Sequence, residues 1–250
     1  MSDVTIDRDL AWSVIDPKSY AEDKPLHDAL RWLRANNPLG RAELDDFDPF
    51  WIVTKHADIL EISRSNDLFH NGDLATTLAP REIAQKVRAL TGGSPHLVHT
   101  LLQMDVPDHP KHRVLAQAWF LPQNIRRLEE RIRQIAREHV DRMADLGGEC
   151  DFVADVALTF PLRVIMEIMG VPEADEPRML KLTQELFGAT DPDMNRTGQQ
   201  ALDFEASLAA IQGTLADFFM YFNTITEDRR VRPTDDLASV IANARIDGEL

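Results

Sequence analysis

Met104-Asp105-Val106-Pro107-Asp108-His109-Pro110-Lys111-His112-Arg113 opens the stretch on which the fold reading turns, and Val114-Leu115-Ala116-Gln117-Ala118-Trp119-Phe120 completes it. Asp105, Pro107, Asp108 and Pro110 crowd its start, so the backbone is expected to turn there and enter a helix with Asp108 as N-cap. His109 and Arg113 stand four apart, and at about 3.6 residues per turn both side chains share one helix face. Leu115, Ala118 and Trp119 form an apolar stripe that presses the helix onto a core, which places the pair at the edge of a buried surface. A guanidinium fork beside an imidazole suits a carboxylate or phosphate. An internal salt bridge to an Asp or Glu satisfies the same spacing, and both readings stay open.

Composition narrows the classes around this stretch. The chain has 250 residues, 44% of them hydrophobic, enough to bury a sizeable core as one large or two small domains. A formal net charge of −15 leaves no general basic face for phosphate backbones, so nucleic acid is excluded as a partner and small molecules or proteins are expected. Asp3, Asp7, Arg8 and Asp9 interrupt the first ten residues; no signal peptide or membrane anchor is read there, and a cytoplasmic protein is expected. Cys150 is the single cysteine, which rules out an internal disulfide and a multi-cysteine metal site. Flanked by Gly147-Gly148-Glu149 and Phe152-Val153-Ala154, it is expected to be a small, partly buried hydrophobe.

Upstream of the central helix, the start of the chain is polar and loosely specified. His27 to Ala35 reads as a helix with Leu30 and Leu33 inward, and Arg41 to Leu44 with Pro49 to Thr54 as a β-hairpin around an acidic turn. Ala57 to Ser65 is a further helix. From Asn71 to Gln103 signals are weak apart from a helix at Arg81 to Leu90; a loop of this length leading into the His109 helix is expected to be a functional lid.

Downstream, Asn124 is expected to cap a helix with apolar residues at Ile125, Leu128, Ile132, Ile135, Val140, Met143 and Leu146, stopped by Gly147-Gly148. Phe160 to Met169 reads as a buried core helix and Glu176 to Phe187 as another, followed by an irregular Gly188 to Thr197. Ala201, Phe204, Leu208, Ile211, Leu215, Phe218, Phe222 and Ile225 then mark a helix of about 25 residues. A last helix, Leu237 to Ala244, begins after Asp235-Asp236, and Gly248-Glu249-Leu250 reads as the lead-in to a further element.

Two other constellations carry chemistry. His96/His99 and His109/His112 with Asp105 make a possible metal site, although no glutamate sits inside either pair. Arg126, Arg127, Arg131, Arg133 and Arg137, with Lys111, make a local basic surface in an acidic chain, either a docking face or a helix face paired with Glu129, Glu130, Glu138 and Asp141. No phosphate-binding glycine loop, G-x-S-x-G elbow or supported Cys-His pair occurs, so hydrolase and nucleotide-binding functions find no support. A helical interaction module that dimerises through the Ala201 to Ile225 seam remains a rival.

Taken together these segments resemble the cytochrome P450 family. Met104-Asp105-Val106-Pro107-Asp108-His109 through Arg113 is similar to the family's M-D-x-P-x-H-x-x-x-R segment. Trp51 to Asp58, Cys150 to Ala157, Val164-Ile165 and Met169-Gly170-Val171-Pro172 follow in the same order. Gly92 to His96, Arg127 to Glu130, Asp175 to Gln184 and Tyr221-Phe222-Asn223 resemble most the soluble bacterial subfamily that hydroxylates α-terpineol.

The resemblance implies a mainly α fold with a small β part, the amino-terminal half of the cytochrome P450 architecture, with residues 1–250 forming part of a single domain. It implies a haem-thiolate monooxygenase that inserts one oxygen atom from O2 into a C–H bond of a small hydrophobic, terpenoid-like substrate, with a ferredoxin as electron donor and a monomeric state. His109 and Arg113 are then expected to bind the haem propionates, and Leu97, Thr100, Leu101, Leu102, Thr183 and Phe187 to line the substrate site. Asn71 to Leu102 matches the substrate-covering segment, and the region around Phe187 to Thr197 matches a mobile lid. No catalytic residue and no metal ligand is assigned within this stretch. The thiolate cysteine is expected beyond residue 250, since Cys150 lacks the Phe/Gly-rich loop of that ligand, and the 250 residues alone are expected to be an inactive fragment without haem.

Overall fold

Asp7 accepts the backbone N–H groups of Asp9 and Leu10 at 3.0 and 3.2 Å, and so starts a helix, α1 (Arg8–Ile15), in the segment whose sequence reads as loosely specified. The computed structural model describes residues 4–246 except 22, 189–190, 192 and 199–203. Its contacts fall into two compact units, Met1–His109 and Pro110–Leu250.

In the first unit α1 is followed by α2 (Asp23–Asn36), the hairpin β1 (Leu39–Ala42) and β2 (Phe50–Val53), α3 (His56–Arg64) and α4 (Arg81–Leu90). The strands pair antiparallel with Leu39 opposite Val53 and Ala42 opposite Phe50. This is the expected hairpin with its first strand two residues earlier, because Leu44 leaves the ladder to enter the core. That core gathers Ile6, Ala11, Leu33, Ala42, Leu44 and Ile52, with Leu10, Val14 and Phe50 packed against it. Spacing of Leu10, Ala11 and Val14 behind an Asp cap was the available signal for α1.

The second unit holds most of α5 (Asp108–Gln117), then α6 (Pro122–Asp145), a π-turn at Val153–Ala157, α7 (Thr159–Met169), α8 (Glu176–Phe187), α9 (Phe204–Val231) and α10 (Leu237–Ala242). Several expectations are corrected here. Asp108 is the first residue of α5, not its cap. Pro122 occupies the first position of α6, so Asn124 lies inside the helix and its Nδ2 donates to the Ala118 carbonyl at 3.1 Å. Cys150 is exposed. Within α7, Arg163 is buried while Ile165 is 57% exposed, so this helix is not apolar-buried all round. The α6 stripe is covered chiefly at Ile135, while Ile125 and Val140 are exposed. Ala201 and residues 248–250 lie outside the described residues.

Met166, Val171, Met179, Leu182 and Tyr221 form the second core, with Leu162, Phe218, Phe222 and Ile225 against it. In α6 the buried His139 sets Nδ1 2.8 Å from the Ile135 carbonyl and Nε2 3.1 Å from the Thr159 hydroxyl of α7. At the other end Asp236 caps α10 by accepting the Ser239 N–H at 2.7 Å. Arg229 ties that cap to α7, donating to Asp236 at 2.7 Å and to the Gly170 carbonyl at 2.8 Å. Gly170 has φ +66°, and a Cβ there would stand 1.9 Å from the Asp236 carboxylate, so both the turn and the close approach require glycine.

Burial opposes ionisation of Asp236, yet the Thr234 hydroxyl, the Ser239 N–H and Arg229 outweigh it and hold its carboxyl below the ordinary carboxylate value. The folded pKa is therefore below the unfolded one. The group's contribution is complete at neutral pH and is lost as pH falls below about 4 through the folded value. Asp236→Ala is expected to lower the unfolding free energy at neutral pH by about 2 kcal/mol and to lose part of the acid-side decline. Urea titrations across that pH range check this; an unchanged acid limb would remove the assignment.

Candidate functional site

Helix α5 carries His109 and Arg113 one turn apart, and its entry is fixed by the His109 N–H donating to the Asp105 carbonyl at 2.8 Å. His109 is half-buried and Arg113 exposed. Among the described residues neither side chain has a hydrogen bond or ion pair, so the internal salt-bridge reading finds no partner there.

Asp105 has a role the sequence reading missed. Its Oδ1 accepts the Asn71 N–H at 2.9 Å and its Oδ2 the Gly72 N–H at 2.8 Å. These two backbone donors, Asn71 first, hold the carboxyl below its ordinary pKa. The loop that begins at Asn71 is thereby fastened to the entry of α5. His96 reinforces the same turn, with Nε2 3.2 Å from the Gly72 carbonyl. No local sequence signal pairs residues more than thirty positions apart. Among the described residues no cluster of three or more His, Cys, Asp or Glu is placed to hold a metal, so the His96/His99/His109/His112 constellation with Asp105 does not assemble.

The expected substrate residues fall in two places. Leu97, Thr100, Leu101 and Leu102 belong to the first unit. There the Thr100 N–H and hydroxyl both donate to Gln103 Oε1, at 2.8 and 3.0 Å, leaving Leu102 77% exposed. Thr183 and Phe187 belong to the second unit and line one cavity of about 350 Å³ with Leu158, Leu162, Leu180 and Met194. Leu180, Thr183 and Phe187 follow i, i+3, i+7 spacing, which puts them on one face of α8. Phe187 is 84% exposed at the mouth. The sequence reading missed Leu158, Leu162, Leu180 and Met194; the α8 spacing was the signal for Leu180, and only tertiary packing brings in the others.

Much of the basic surface on α6 is neutralised in place. Arg131 meets Glu167 at 3.0 Å, Arg133 meets Glu129 at 2.7 Å, and Arg127 lies 3.6 Å from Asp235. Exposed pairs of this kind stabilise little. Among the described residues no helix is long and apolar enough to cross a membrane.

No family model matches the chain. It is 43% identical over 244 residues to cytochrome P450-terp from a Pseudomonas species, covering 98% of the chain and 57% of that protein. To the steroid C26-monooxygenase of Mycolicibacterium smegmatis it is 30% identical over 201 residues, 80% of the chain and 43% of that protein. Among solved structures, CYP108D1 from Novosphingobium aromaticivorans superposes with a TM-score of 0.84 at 43% identity, covering 98% of the chain and 56% of that structure. The chain thus spans about half the length of the curated relatives it matches.

Proposed function

Because the chain belongs to the cytochrome P450 family and carries the amino-terminal part of its fold, we propose that it is the haem-anchoring and substrate-covering part of a monooxygenase. That enzyme inserts one oxygen atom from O2 into a C–H bond of a small hydrophobic, terpenoid-like substrate. The observation that carries the reading is the His109–Arg113 pair on α5, two donors one turn apart that meet no acceptor among the described residues.

The cofactor of this family is haem, and the pair fits its carboxylates. The Arg113 guanidinium would hold one such carboxylate through charge-assisted hydrogen bonds, and the His109 ring would add one further donor. When bound, haem would supply the oxygen activation, and His109 and Arg113 would hold its carboxylates. The thiolate is not assigned to Cys150, which lies on the exposed surface after α6. Asp105 acts on backbone geometry: by fastening Asn71 and Gly72 it fixes the chain at the entry of α5, just before His109.

In the second unit Leu158, Leu162 and Leu180 give the cavity an apolar wall, while Thr183 offers one hydroxyl to orient a substrate polar group. That mainly apolar lining, together with the likeness to cytochrome P450-terp, supports a small hydrophobic, terpenoid-like substrate. The electron donor in this reading is a ferredoxin, met by those cations of α6 that remain exposed; the enzyme is a cytoplasmic monomer.

The spectrum of the purified full-length protein tests the reading. A Soret band and a ferrous–carbonyl band at the thiolate position are expected. Absence of bound haem from the reconstituted protein would overturn the function, and haem without the thiolate signature would overturn the monooxygenase chemistry.

A further inference from the structure

The end of α8 and the segment after it are joined by a network that the monooxygenase reading does not use. Glu185, on α8, is 3% exposed at its side chain and accepts from Arg196 Nε at 2.9 Å and from the Thr214 hydroxyl of α9 at 2.9 Å. Arg196 also pairs with Asp217 of α9. Its Nη1 lies 2.7 Å from where a Cβ on Gly213 would stand, so the guanidinium rests against the α9 backbone. One side chain thus bridges a connecting segment to both helices. Lys181 lies 3.9 Å from Glu185 but is largely exposed, a weaker counter-charge than Arg196.

The segment that Arg196 fastens also supplies a wall of the apolar cavity. The Met194 and Asn195 N–H groups both donate to the Asp191 carbonyl, at 3.1 and 2.8 Å, and Asn195 Oδ1 accepts the Thr197 and Gly198 N–H groups at 3.0 and 2.8 Å. Met194, two residues before Arg196, packs onto Gly188 so closely that a Cβ there would lie 2.4 Å from the methionine Cβ. Met194 and Gly188 line the cavity beside Phe187.

We propose that Arg196 is a positioning residue that sets ligand size in this cavity: held by Glu185 and Asp217, it keeps Met194 against Gly188 and walls off the end of the pocket next to Phe187. The inference rests on the reading of this cavity as the substrate pocket. Without Arg196 the segment loses its charged tie to both helices, Met194 moves off Gly188, and longer apolar ligands enter.

Two measurements on the full-length protein test it: amide hydrogen exchange over residues 193–198, and the affinities of a monocyclic monoterpene alcohol and a four-ring sterone. For Arg196→Ala, exchange is expected to rise about tenfold, the scale of one lost charge-assisted hydrogen bond in a local opening equilibrium. The affinity ratio should move about tenfold toward the sterone. Arg196→Lys, which keeps the charge without the fork, should fall between. Gly188→Ala places a Cβ against Met194 and against the Gln184 carbonyl at the end of α8, and should shift the ratio while Glu185, Asp217 and Arg196 are intact. Unchanged exchange overturns the latch. Raised exchange with an unchanged ratio overturns the control of ligand size. Binding of neither ligand by the wild type overturns the substrate reading and the specificity role with it.

Discussion

Arg113→Ala is expected to speed the transfer of haem to apomyoglobin about ten- to a hundredfold in the full-length protein, because a charge-assisted hydrogen bond to a propionate contributes about 1.5–3 kcal/mol. The effect is assigned to binding because Arg113 has no hydrogen bond or ion pair among the described residues whose loss would be felt in folding. The apo protein should therefore keep its urea midpoint. His109→Ala should cost less: a ring nitrogen offers a single donor where the guanidinium offers a fork. Equal transfer rates for wild type and Arg113→Ala would remove the propionate role. A lowered apo midpoint with unchanged transfer would assign the residue to folding instead.

Arg163→Ala is expected to destabilise the protein by about 3 kcal/mol or more, the cost of leaving a mostly buried charge without its partner. Arg163 is 3% exposed at its side chain; Nε lies 3.3 Å from Glu176 and Nη2 pairs with Glu173, while Nη1 has no hydrogen-bond partner among the described residues. Glu176 is only 17% exposed, so it is the group stranded by the substitution. Glu173, whose pKa Arg163 holds down through their hydrogen bond, is mostly exposed and recovers solvation. Combining Arg163→Met with Glu176→Gln should restore most of the loss, since a volume-matched neutral pair removes the isolated charge. Urea unfolding of the three proteins decides it. A loss below about 1 kcal/mol for Arg163→Ala would mean that water reaches the site and already solvates Glu176.

Legibility in the sequence followed the range of the interaction. Helix α4 at Arg81–Leu90 and α8 at Glu176–Phe187 were readable to the residue, because amphipathic spacing and flanking Gly or Pro act within a few positions. The β1–β2 hairpin was readable but not its register, which Leu44 shifts by entering the core. Helix α1 lies in the segment that reads as loosely specified, although Asp7 starts it.

The shared face of His109 and Arg113 was determined by the sequence alone, since four residues along an α-helix make one turn whatever surrounds it. Only the tertiary structure decided that no acceptor among the described residues meets those side chains. It likewise turned Asp105 onto Asn71 and Gly72, buried Arg163 beside Glu176, left Cys150 exposed, and brought Arg196 to Glu185 and Asp217. Local periodicity encodes which face a residue takes, because the backbone repeat fixes it. Whether that face is covered, and by which charge, depends on segments far apart in sequence whose approach no local pattern records.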